Sequence, residues 1–358
     1  YTSIILYFDN SDKEKLYFSH INVHHSKEMR AIKPRVFITR KPPIHVLEDL
    51  KEYFDVDTWD FEESNVPREH LLTDIEKYDG LLCLLTENVD EEVLSKGESL
   101  KVVSNLAVGF NNIDVALATQ KGVMVTNTPG VLTETTADLT FALLMATSRR
   151  IIEASAILRE GQWKTWSPMF LTGMDIHGST LGIIGLGDIG AAVARRAKGF
   201  NMNLLYHNRS RKENLESELG IEYRDLPGLL KESDFVVILT PFTKETENLI
   251  TINEFKLMKK TAILINTARG GIVNEEDLAK ALSDGLIWGA GLDVFVEEPV
   301  PLNHPLLRLP NVVTLPHIGS ASIQTRTKMW ELAAKNLKEA LLGNMPPNLV
   351  NKEILANK

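Results

Sequence analysis

The sequence predicts an α/β protein built on two doubly wound parallel sheets, each with helices on both faces. The first observation is that short β-rich runs alternate with helical segments from Pro34 onward, and again from Leu181 onward. Such alternation is typical of parallel sheets covered by helices. The second observation is a glycine-rich turn after the first strand of the second set. A length of 358 residues also fits two domains, at roughly 150 residues each.

The first alternating set runs up to a strong break at Thr126–Gly130, where Pro129 and Gly130 close a polar stretch. After the break we expect a long apolar helix from Glu134 to Arg149. At its start, Thr135-Thr136-Ala137-Asp138 resembles a capping box with Asp in place of the usual Glu. The expected strands of this set are Val36–Thr39, Gly80–Leu85, Lys101–Leu106 and Val123–Thr126, and the expected helices are Pro43–Tyr53, Asp90–Lys96 and Ile113–Lys121.

The second alternating set contains enough strands for a complete dinucleotide-binding sheet. A long helix, Ser320–Leu342, follows it and is expected to return to the first domain. The predicted domains are therefore a segmented one, 31–127 with 317–358, and a continuous one, 128–316. The expected strands of this second set are Leu181–Ile184, Leu204–His207, Phe235–Leu239, Ala262–Asn266, Gly289–Leu292 and Val312–Leu315.

Composition and charge narrow the class of protein. Hydrophobic residues make up 44% and charged residues 24% of the chain, which is ordinary for a globular protein. The net charge of −9 argues against broad nucleic-acid binding. Apolar runs fall short of the ~18 residues of a membrane helix, so we expect a soluble, cytoplasmic protein. The single cysteine, Cys83, lies in the apolar run Leu81–Leu85 and is expected to be a buried hydrophobic side chain.

The first thirty residues differ from the rest of the chain. Tyr1–Phe8 is apolar but lacks the basic region and the cleavage site of a secretory signal. The pair His24-His25 has no third candidate ligand nearby, so we predict no metal site. Residues 1–30 are interpreted as an extension without a role in the chemistry.

The glycine-rich turn is the sequence Gly185-Leu186-Gly187-Asp188-Ile189-Gly190, which has the spacing G-x-G-x-x-G. It follows an apolar strand and opens an alanine-rich helix, the context in which this pattern binds a dinucleotide. Gly185 permits the tight turn, Gly187 permits close approach of the pyrophosphate, and Gly190 permits close packing of helix and strand. Amides at the helix start, from Asp188 and Ile189 onward, are available to the phosphates.

The choice of cofactor is predicted from the end of the following strand. NAD-binding sheets usually place a carboxylate about 20 positions after the glycine turn, but this chain has Asn208-Arg209-Ser210-Arg211-Lys212. Arginine forks and a hydroxyl suit the 2′-phosphate of NADP(H). We therefore predict NADP(H) as the preferred cofactor, with NAD(H) possible; the alternative is a solvated basic loop.

Three further residues form a candidate catalytic set: Arg269, Glu298 and His317. Each follows a predicted parallel strand, and ligands bind at the carboxyl edge of such sheets. Reduction of a 2-keto acid needs a hydride from the nicotinamide and a proton, which a histidine can deliver. A neighbouring carboxylate would orient the histidine, and an arginine would bind the substrate carboxylate bidentately. Taken singly, each residue could be structural, but three on one edge favour catalysis.

With these motifs, the sequence resembles the D-2-hydroxyacid dehydrogenase family, and within it the glyoxylate/hydroxypyruvate reductases, over residues 34–348. The resemblance implies a flavodoxin-like substrate domain and a Rossmann nucleotide domain with the active site between them. It assigns the catalytic roles to Arg269, Glu298 and His317. It also implies substrate contacts at Val108, Gly109, Arg269, His317 and Ser320, and cofactor contacts at Gly185–Gly190, Asn208–Arg211, Thr240, Pro241, Thr267, Asp293 and Gly319.

The same resemblance implies a homodimer formed largely through the nucleotide domains. Gly161–Trp166 resembles a loop that approaches the partner's active site in glyoxylate/hydroxypyruvate reductases. Trp166 is therefore a candidate for shaping the partner's pocket, or alternatively for packing within the dimer contact. Where many members carry a histidine in the segment Val236–Pro241, this chain has Leu239, which makes Thr240 and Pro241 less specific assignments.

The sequence thus predicts a reductase that prefers NADPH and converts glyoxylate and hydroxypyruvate to glycolate and D-glycerate. One rival is a dehydrogenase of the same family for a larger keto acid, because pocket size cannot be read from the motifs. The other rival is a nucleotide-sensing binding protein that resembles the family's corepressors, in which the same three residues occur. The acidic charge argues against this second rival.

Overall fold

Two parallel sheets organise the part of the chain that the structure, a computed structural model, describes: residues 33–357. Both sheets belong to the unit that begins at Pro34. The extension 1–30 and its His24-His25 pair lie outside the described residues. Within the described residues, no helix combines the length and the apolar character needed to cross a bilayer.

The first sheet has five parallel strands in the order β2-β1-β3-β4-β5, which is the flavodoxin-like order. Its central strands are buried on both faces, because helices cover them. The strands are β1 (Arg35–Ile38), β2 (Asp55–Thr58), β3 (Gly80–Cys83), β4 (Val102–Asn105) and β5 (Met124–Thr126). The helices that follow them are α1 (Ile44–Tyr53), α2 (Arg68–Asp74), α3 (Glu91–Lys96) and α4 (Val115–Gln120).

The second sheet has seven parallel strands in the order β12-β11-β10-β9-β6-β7-β8, a dinucleotide-binding order with one additional strand. Each strand expected for either sheet overlaps an observed strand. The strands are β6 (Thr180–Ile184), β7 (Asn203–His207), β8 (Glu222–Tyr223), β9 (Phe235–Ile238), β10 (Ile263–Asn266), β11 (Gly289–Leu292) and β12 (Val312–Thr314). The helices are α5 (Thr133–Ser148), α6 (Ile151–Arg159), α7 (Asp188–Lys198), α8 (Glu213–Leu219), α9 (Leu226–Glu232), α10 (Ile252–Phe255) and α11 (Glu275–Ser283).

The last long helix, α12 (Ile323–Leu341), packs on the first sheet rather than on the second. Ser104 on β4 donates a hydrogen bond to the carbonyl of Ala333, at 2.8 Å. The amide of Asn336 likewise donates to the carbonyl of Asn127, at 2.9 Å. Leu337 completes the apolar layer against this sheet. The carboxyl-terminal helix therefore closes one face of the sheet that the chain formed first.

The capping box expected at Thr135–Asp138 is wrong. Helix α5 begins at Thr133, and its N-cap residue Leu132 makes no side-chain cap. The Thr135 hydroxyl instead lies 2.7 Å from that of Thr325 on α12, and the Asp138 carboxylate pairs with Arg196 on α7 at 2.6 Å. Tertiary partners on neighbouring helices take up the polar atoms that would otherwise cap the helix.

Cys83 is buried at the end of β3, as predicted. Burial raises the pKa of its thiol well above the ordinary value, because a thiolate would lose its hydration there. Cys83 is therefore a packing residue and not a nucleophile.

Candidate active site

Three predicted site residues, two of them from the candidate catalytic set, lie at the carboxyl edge of three adjacent strands of the second sheet. Arg269 follows β10, Asp293 directly follows β11, and His317 follows β12. Because β10, β11 and β12 are neighbours in that order, residues distant in sequence share one edge. Parallel sheets bind their ligands at this edge.

His317 and Glu298 form a short hydrogen bond, with 2.6 Å between Nδ1 of the histidine and Oε2 of the carboxylate. Both side chains remain about a quarter exposed, at 24% and 27%. The other oxygen of Glu298, Oε1, accepts from the amide of Phe295 at 2.9 Å. Since Nδ1 donates to the carboxylate, Nε2 is the ring nitrogen that can exchange a proton with a ligand.

The backbone also fixes the position of His317. Its amide donates to the carbonyl of Asp293 at 2.9 Å, and its φ of +54° lies in the left-handed region. Such a backbone is uncommon for a residue other than glycine and marks a constrained position. The imidazole is thus held from both its ring and its main chain.

Glu298 is ionised at neutral pH. Burial alone would raise the pKa of its carboxyl group, but the hydrogen bond and the charge of His317 oppose that effect. The amide of Phe295 and the charge of Arg269 act in the same direction, so the pKa lies below its ordinary value. An ionised carboxylate is the form that accepts the Nδ1 proton and orients the ring.

Asp293 is almost fully buried, with 1% of its surface exposed. Its Oδ1 accepts from the amide of Ile318 at 2.8 Å, whereas its Oδ2 is buried without a hydrogen-bond partner among residues 33–357. Burial raises the pKa of this carboxyl group, against the effect of the Ile318 amide and of His317. A buried acceptor without a donor is costly unless a ligand supplies the donor.

Arg269 is held on a short loop that Asn266 closes. Asn266 donates from Nδ2 to the carbonyl of Arg269 at 2.9 Å, and its Oδ1 accepts from the amide of Ala268 at 3.0 Å. The guanidinium donates from Nη1 to the carbonyl of Ala268 at 2.8 Å and from Nε to Oδ1 of Asn111 at 3.3 Å. Burial lowers the pKa of Arg269, and Glu298 opposes this, although an arginine stays charged in proteins.

The predicted substrate loop at Val108 and Gly109 faces the same guanidinium. A Cβ atom on Gly109 would overlap the Arg269 guanidinium, so glycine allows this approach without displacing the arginine side chain. Asn105 donates to the carbonyl of Gly109 at 2.9 Å, and Asn127 donates to that of Val108 at 2.8 Å. The loop from the first sheet and the arginine from the second are therefore in direct contact.

The glycine turn has the geometry that its sequence predicts. Gly185 has a φ of +103°, and a Cβ there would lie only 2.5 Å from the Thr240 amide nitrogen. A Cβ on Gly190 would overlap the carbonyl of Gly185, whereas Gly187 faces open space. Helix α7 starts at Asp188 without a side-chain cap, which leaves its first amides available. With the unpartnered Oδ2 of Asp293, these features fit a nicotinamide dinucleotide with its phosphates at the turn.

The polar residues after β7 differ in whether their side chains already have a hydrogen-bond or ion-pair partner within the described residues. Oδ1 of Asn208 accepts from the amide of Leu186 at 2.7 Å, so this side chain supports the glycine turn. Arg211 pairs with both oxygens of Glu216, at 3.0 and 2.6 Å, which raises the pKa of the arginine. Arg209 is exposed and forms no ion pair within the described residues. The pKa of Glu245 is lowered mainly by a hydrogen bond from the Thr243 hydroxyl and to a smaller extent by the charge of Arg209.

The remaining predicted residues lie along the same edge. Thr267 pairs its hydroxyl with that of Thr140 on α5 at 2.6 Å. Gly319 lies beside Asp293 and Thr136, and Ser320 follows it. Thr240 contacts the glycine turn, and the carbonyl of Pro241 accepts from Thr246 at 2.7 Å. Sequence reasoning missed Asn111 and Asn266, although an asparagine at the end of β10 was a usable signal.

Comparison with known proteins matches this architecture. Residues 141–319 match the family model for the NAD-binding domain of D-isomer specific 2-hydroxyacid dehydrogenases. The chain is 51% identical to the glyoxylate reductase of Korarchaeum cryptofilum over 325 residues, which are 90% of this chain and 98% of that protein. It is also 51% identical to the glyoxylate reductase of Pyrococcus horikoshii over 328 residues, with the same two coverages.

Solved structures resemble the chain over most of its length. A protein from Thermus thermophilus superposes with a TM-score of 0.82 at 44% identity and covers 88% of this chain and 99% of its own. An NADPH-dependent glyoxylate/hydroxypyruvate reductase from Sinorhizobium meliloti, in complex with NADP and malonate, has a TM-score of 0.77 at 34% identity. It covers 89% of this chain and 97% of its own.

The fold and these relatives define the class of protein first: an NAD(P)-dependent oxidoreductase with a nicotinamide dinucleotide as cofactor. The matches then define the family. The chain belongs to the D-isomer specific 2-hydroxyacid dehydrogenase family.

Proposed function

We propose that this protein reduces small 2-keto acids, glyoxylate and hydroxypyruvate, to glycolate and D-glycerate, with NADPH as the preferred reductant. The observation that carries the proposal is the 2.6 Å bond between His317 and Glu298 on the strand edge that also bears Arg269. The names of the relatives support it, since they are glyoxylate reductases and an NADPH-dependent glyoxylate/hydroxypyruvate reductase.

Each residue has a role in the proposed reaction. The guanidinium of Arg269 binds the substrate carboxylate in the cleft against Gly109. When bound, a reduced nicotinamide would provide the hydride that the carbonyl carbon receives. His317 gives the proton on Nε2 to the carbonyl oxygen, and Glu298 stabilises the ring through Nδ1. The hydride and the proton together convert the keto acid to a 2-hydroxy acid.

The proposed domain division assigns the substrate domain to 31–127 with 317–358, and the nucleotide domain to 128–316. Val108 and Gly109 then meet the substrate from one domain, while Arg269 meets it from the other. In this proposal His317 stands at the crossing between the two domains.

The preference for NADPH is proposed from the loop after β7. Ser210 and the exposed guanidinium of Arg209 are available to a 2′-phosphate. Asn208 supports the glycine turn, and it places no negative charge where NAD-binding proteins usually carry a carboxylate. Arg211 contributes less, because Glu216 already engages its guanidinium.

We also propose a homodimer in which a second copy covers an apolar surface on α6 and the following loop. Its exposed side chains are Ile151, Ile152, Leu158, Trp163, Trp166, Met169 and Phe170. Contiguous exposed apolar surface favours association. Trp166 is 75% exposed in the single chain and is the candidate for reaching the partner's pocket. Sedimentation equilibrium tests the dimer, and unchanged substrate selectivity in Trp166→Ala would remove the role in the pocket.

The proposed function is tested by a kcat/KM panel over glyoxylate, hydroxypyruvate and pyruvate with NADPH and with NADH. We expect glyoxylate or hydroxypyruvate with NADPH to give the highest value. Higher turnover of a larger keto acid would transfer the assignment to another dehydrogenase of the family. Tight NADPH binding without turnover of any keto acid would favour the nucleotide-sensing alternative.

A further inference from the structure

A second histidine–carboxylate pair, Glu275 and His304, contacts the turn that carries Glu298. Nε2 of His304 lies 3.0 Å from Oε2 of Glu275, and both side chains are more buried than the catalytic pair, at 18% and 15% exposed. We call residues Phe295–Glu298 the acid turn. The pair has no place in the reaction described above, yet it touches the segment on which the reaction depends.

The two carboxylates hold adjacent amides of the acid turn. Glu298 accepts from the amide of Phe295 at 2.9 Å, and Glu275 accepts from the amide of Val296 at 2.7 Å. Hydrogen bonds from an amide to an ionised carboxylate are among the stronger ones in proteins. The backbone orientation that directs Glu298 toward His317 is therefore fixed on its other side by Glu275.

His304 fixes the Glu275 carboxylate in turn. The amide of Leu306 donates to Nδ1 of His304 at 3.4 Å, so Nδ1 is an acceptor and Nε2 carries the ring proton. That proton is donated to Glu275. The ring of Phe295 packs edge-on against the imidazole, with 5.9 Å between centroids. The histidine thus links the acid turn to Glu275 by both packing and hydrogen bonding.

The acid turn also contacts the loop that carries Arg269. A Cβ atom on Gly270, the neighbour of Arg269, would overlap the carbonyl carbon and oxygen of Phe295. The loop that carries the arginine is therefore in direct contact with the turn that carries Glu298. A shift of the acid turn would displace both groups relative to each other, and small displacements in an active site reduce rates strongly.

We propose that Glu275 and His304 are positioning residues that hold the acid turn so that Glu298 meets His317. This inference rests on the proposed function for its kinetic readout. The pair takes no proton from the substrate and touches no reacting atom; it acts through the backbone amide of Val296 and the ring of Phe295.

The test compares Glu275→Ala with a matched control, Asp234→Ala. Asp234 also accepts from a backbone amide, that of Thr180 at 2.9 Å, and from a charged side chain, Lys259 at 2.7 Å, but it precedes β9 at the opposite edge of the sheet. We expect Glu275→Ala to lower kcat by about 10- to 100-fold with the Kd for NADPH unchanged. Asp234→Ala should lower the Tm and leave kcat within about twofold.

Two further readouts separate positioning from general support. In a Glu298→Gln enzyme, Glu275→Ala should lower kcat little further, because both act through one carboxylate. The Nδ1 proton of His317, held at 2.6 Å from Glu298, should give a downfield NMR signal in cofactor-free protein. The chemical shift of this signal should change in Glu275→Ala and remain that of wild type in Asp234→Ala. If Glu275→Ala does not fold, Glu275→Gln replaces it. Glutamine has one acceptor oxygen where glutamate has two, so it cannot accept from His304 through one oxygen and from Val296 through the other.

A folded Glu275 variant with wild-type kcat and an unmoved proton signal would overturn the inference. So would a double variant with Glu298→Gln in which the decrease in kcat is the product of the two single decreases. These results differ from failure of the proposed function. That failure would be seen as a wild-type enzyme without turnover of any keto acid, while the NMR signal would still report on the acid turn.

Discussion

The two ends of the carboxyl edge of the seven-stranded sheet differ in how their charged groups are held. At the β10–β12 end, both oxygens of Glu298 accept hydrogen bonds, and His317 is fixed by ring and backbone. At the β7 end, Arg209 is exposed, and a firm ion pair joins Arg211 to Glu216 on the surface. The charged groups at the first end are fixed by hydrogen bonds within the chain, whereas the guanidinium of Arg209 at the second end is exposed, and we propose that it meets the ligand.

Substitutions at the two ends are therefore expected to have different effects. Changes at the β10–β12 end should affect the binding or the turnover of the keto acid, because the groups there must be placed before the substrate arrives. Changes at the β7 end should affect which nucleotide binds, because an exposed guanidinium interacts with a ligand and with little else. Each prediction below tests that separation.

The largest expected effect is that of His317→Ala. If His317 delivers the proton as proposed, its loss should lower kcat by about 10²–10⁴-fold, while the Kd for NADPH stays unchanged. Steady-state assay with glyoxylate measures the first quantity and fluorescence titration the second. His177→Ala, at an exposed histidine away from this edge, is the control. A near-normal kcat in His317→Ala would reject its acid–base role.

Arg269→Gln should act mainly on the keto acid. A charge-assisted hydrogen bond contributes about 1.5–3 kcal/mol, so we expect the KM for glyoxylate to rise by about 10- to 100-fold. The Kd for NADPH should not change. A wild-type KM for glyoxylate would show that the substrate carboxylate is bound elsewhere. It would contradict the proposal that the β10–β12 end holds the keto acid.

Arg209→Asp should change the choice of nucleotide and spare the chemistry. The ratio of kcat/KM with NADPH to that with NADH should fall by about 10- to 100-fold, because a carboxylate repels the 2′-phosphate. The kcat at saturating NADH should remain close to the wild-type value. Arg211→Gln is the matched variant, and it should change the ratio less, since Glu216 already engages Arg211. An unchanged ratio in Arg209→Asp would show that the phosphate is held elsewhere.

The smallest expected effect is in acid stability, and it compares Glu298 with Glu216. The pKa of each is lowered in the folded protein. Each therefore stabilises the fold above the pKa of an unfolded glutamate, about 4.3, and loses that contribution as pH falls through the lower folded value. The free energy of unfolding should fall less on going from neutral to acid pH in Glu298→Gln and in Glu216→Gln than in the wild-type protein.

Salt should separate these two carboxylates. The Arg211 side chain is 55% exposed, so added salt should screen its pair with Glu216 and abolish most of that difference. The pair of Glu298 and His317, whose side chains are 27% and 24% exposed, should respond less to salt. Urea unfolding at several pH values and two ionic strengths measures both effects, and equal salt responses would contradict the contrast.

Much of the fold was predictable, because buried parallel strands such as β9 and β10 are continuous apolar runs. Strand β2 was missed, since at the sheet edge its residues Asp55–Thr58 are largely polar and alternate in exposure. Strand β8 was missed because it has only two residues. The capping box at Thr135 failed because partners on other helices compete for its polar atoms.

The candidate site was predictable to the extent that its residues directly follow strands. Arg269 and His317 do so, and strand order alone places them on one edge. Asn111 could not be found in this way, because its contact with Arg269 joins the two sheets across 158 positions of sequence. The pairing of Glu275 with His304 depends likewise on how a turn folds back, which no local pattern specifies.

The most direct test of the account is a single turnover of wild-type enzyme loaded with one equivalent of NADPH and mixed with excess glyoxylate. We expect bound NADPH to be consumed and one equivalent of glycolate to form. The same mixture made with His317→Ala should lose NADPH at least about 10²-fold more slowly. Persistence of bound NADPH in the wild-type enzyme, or equal rates in both proteins, would contradict it.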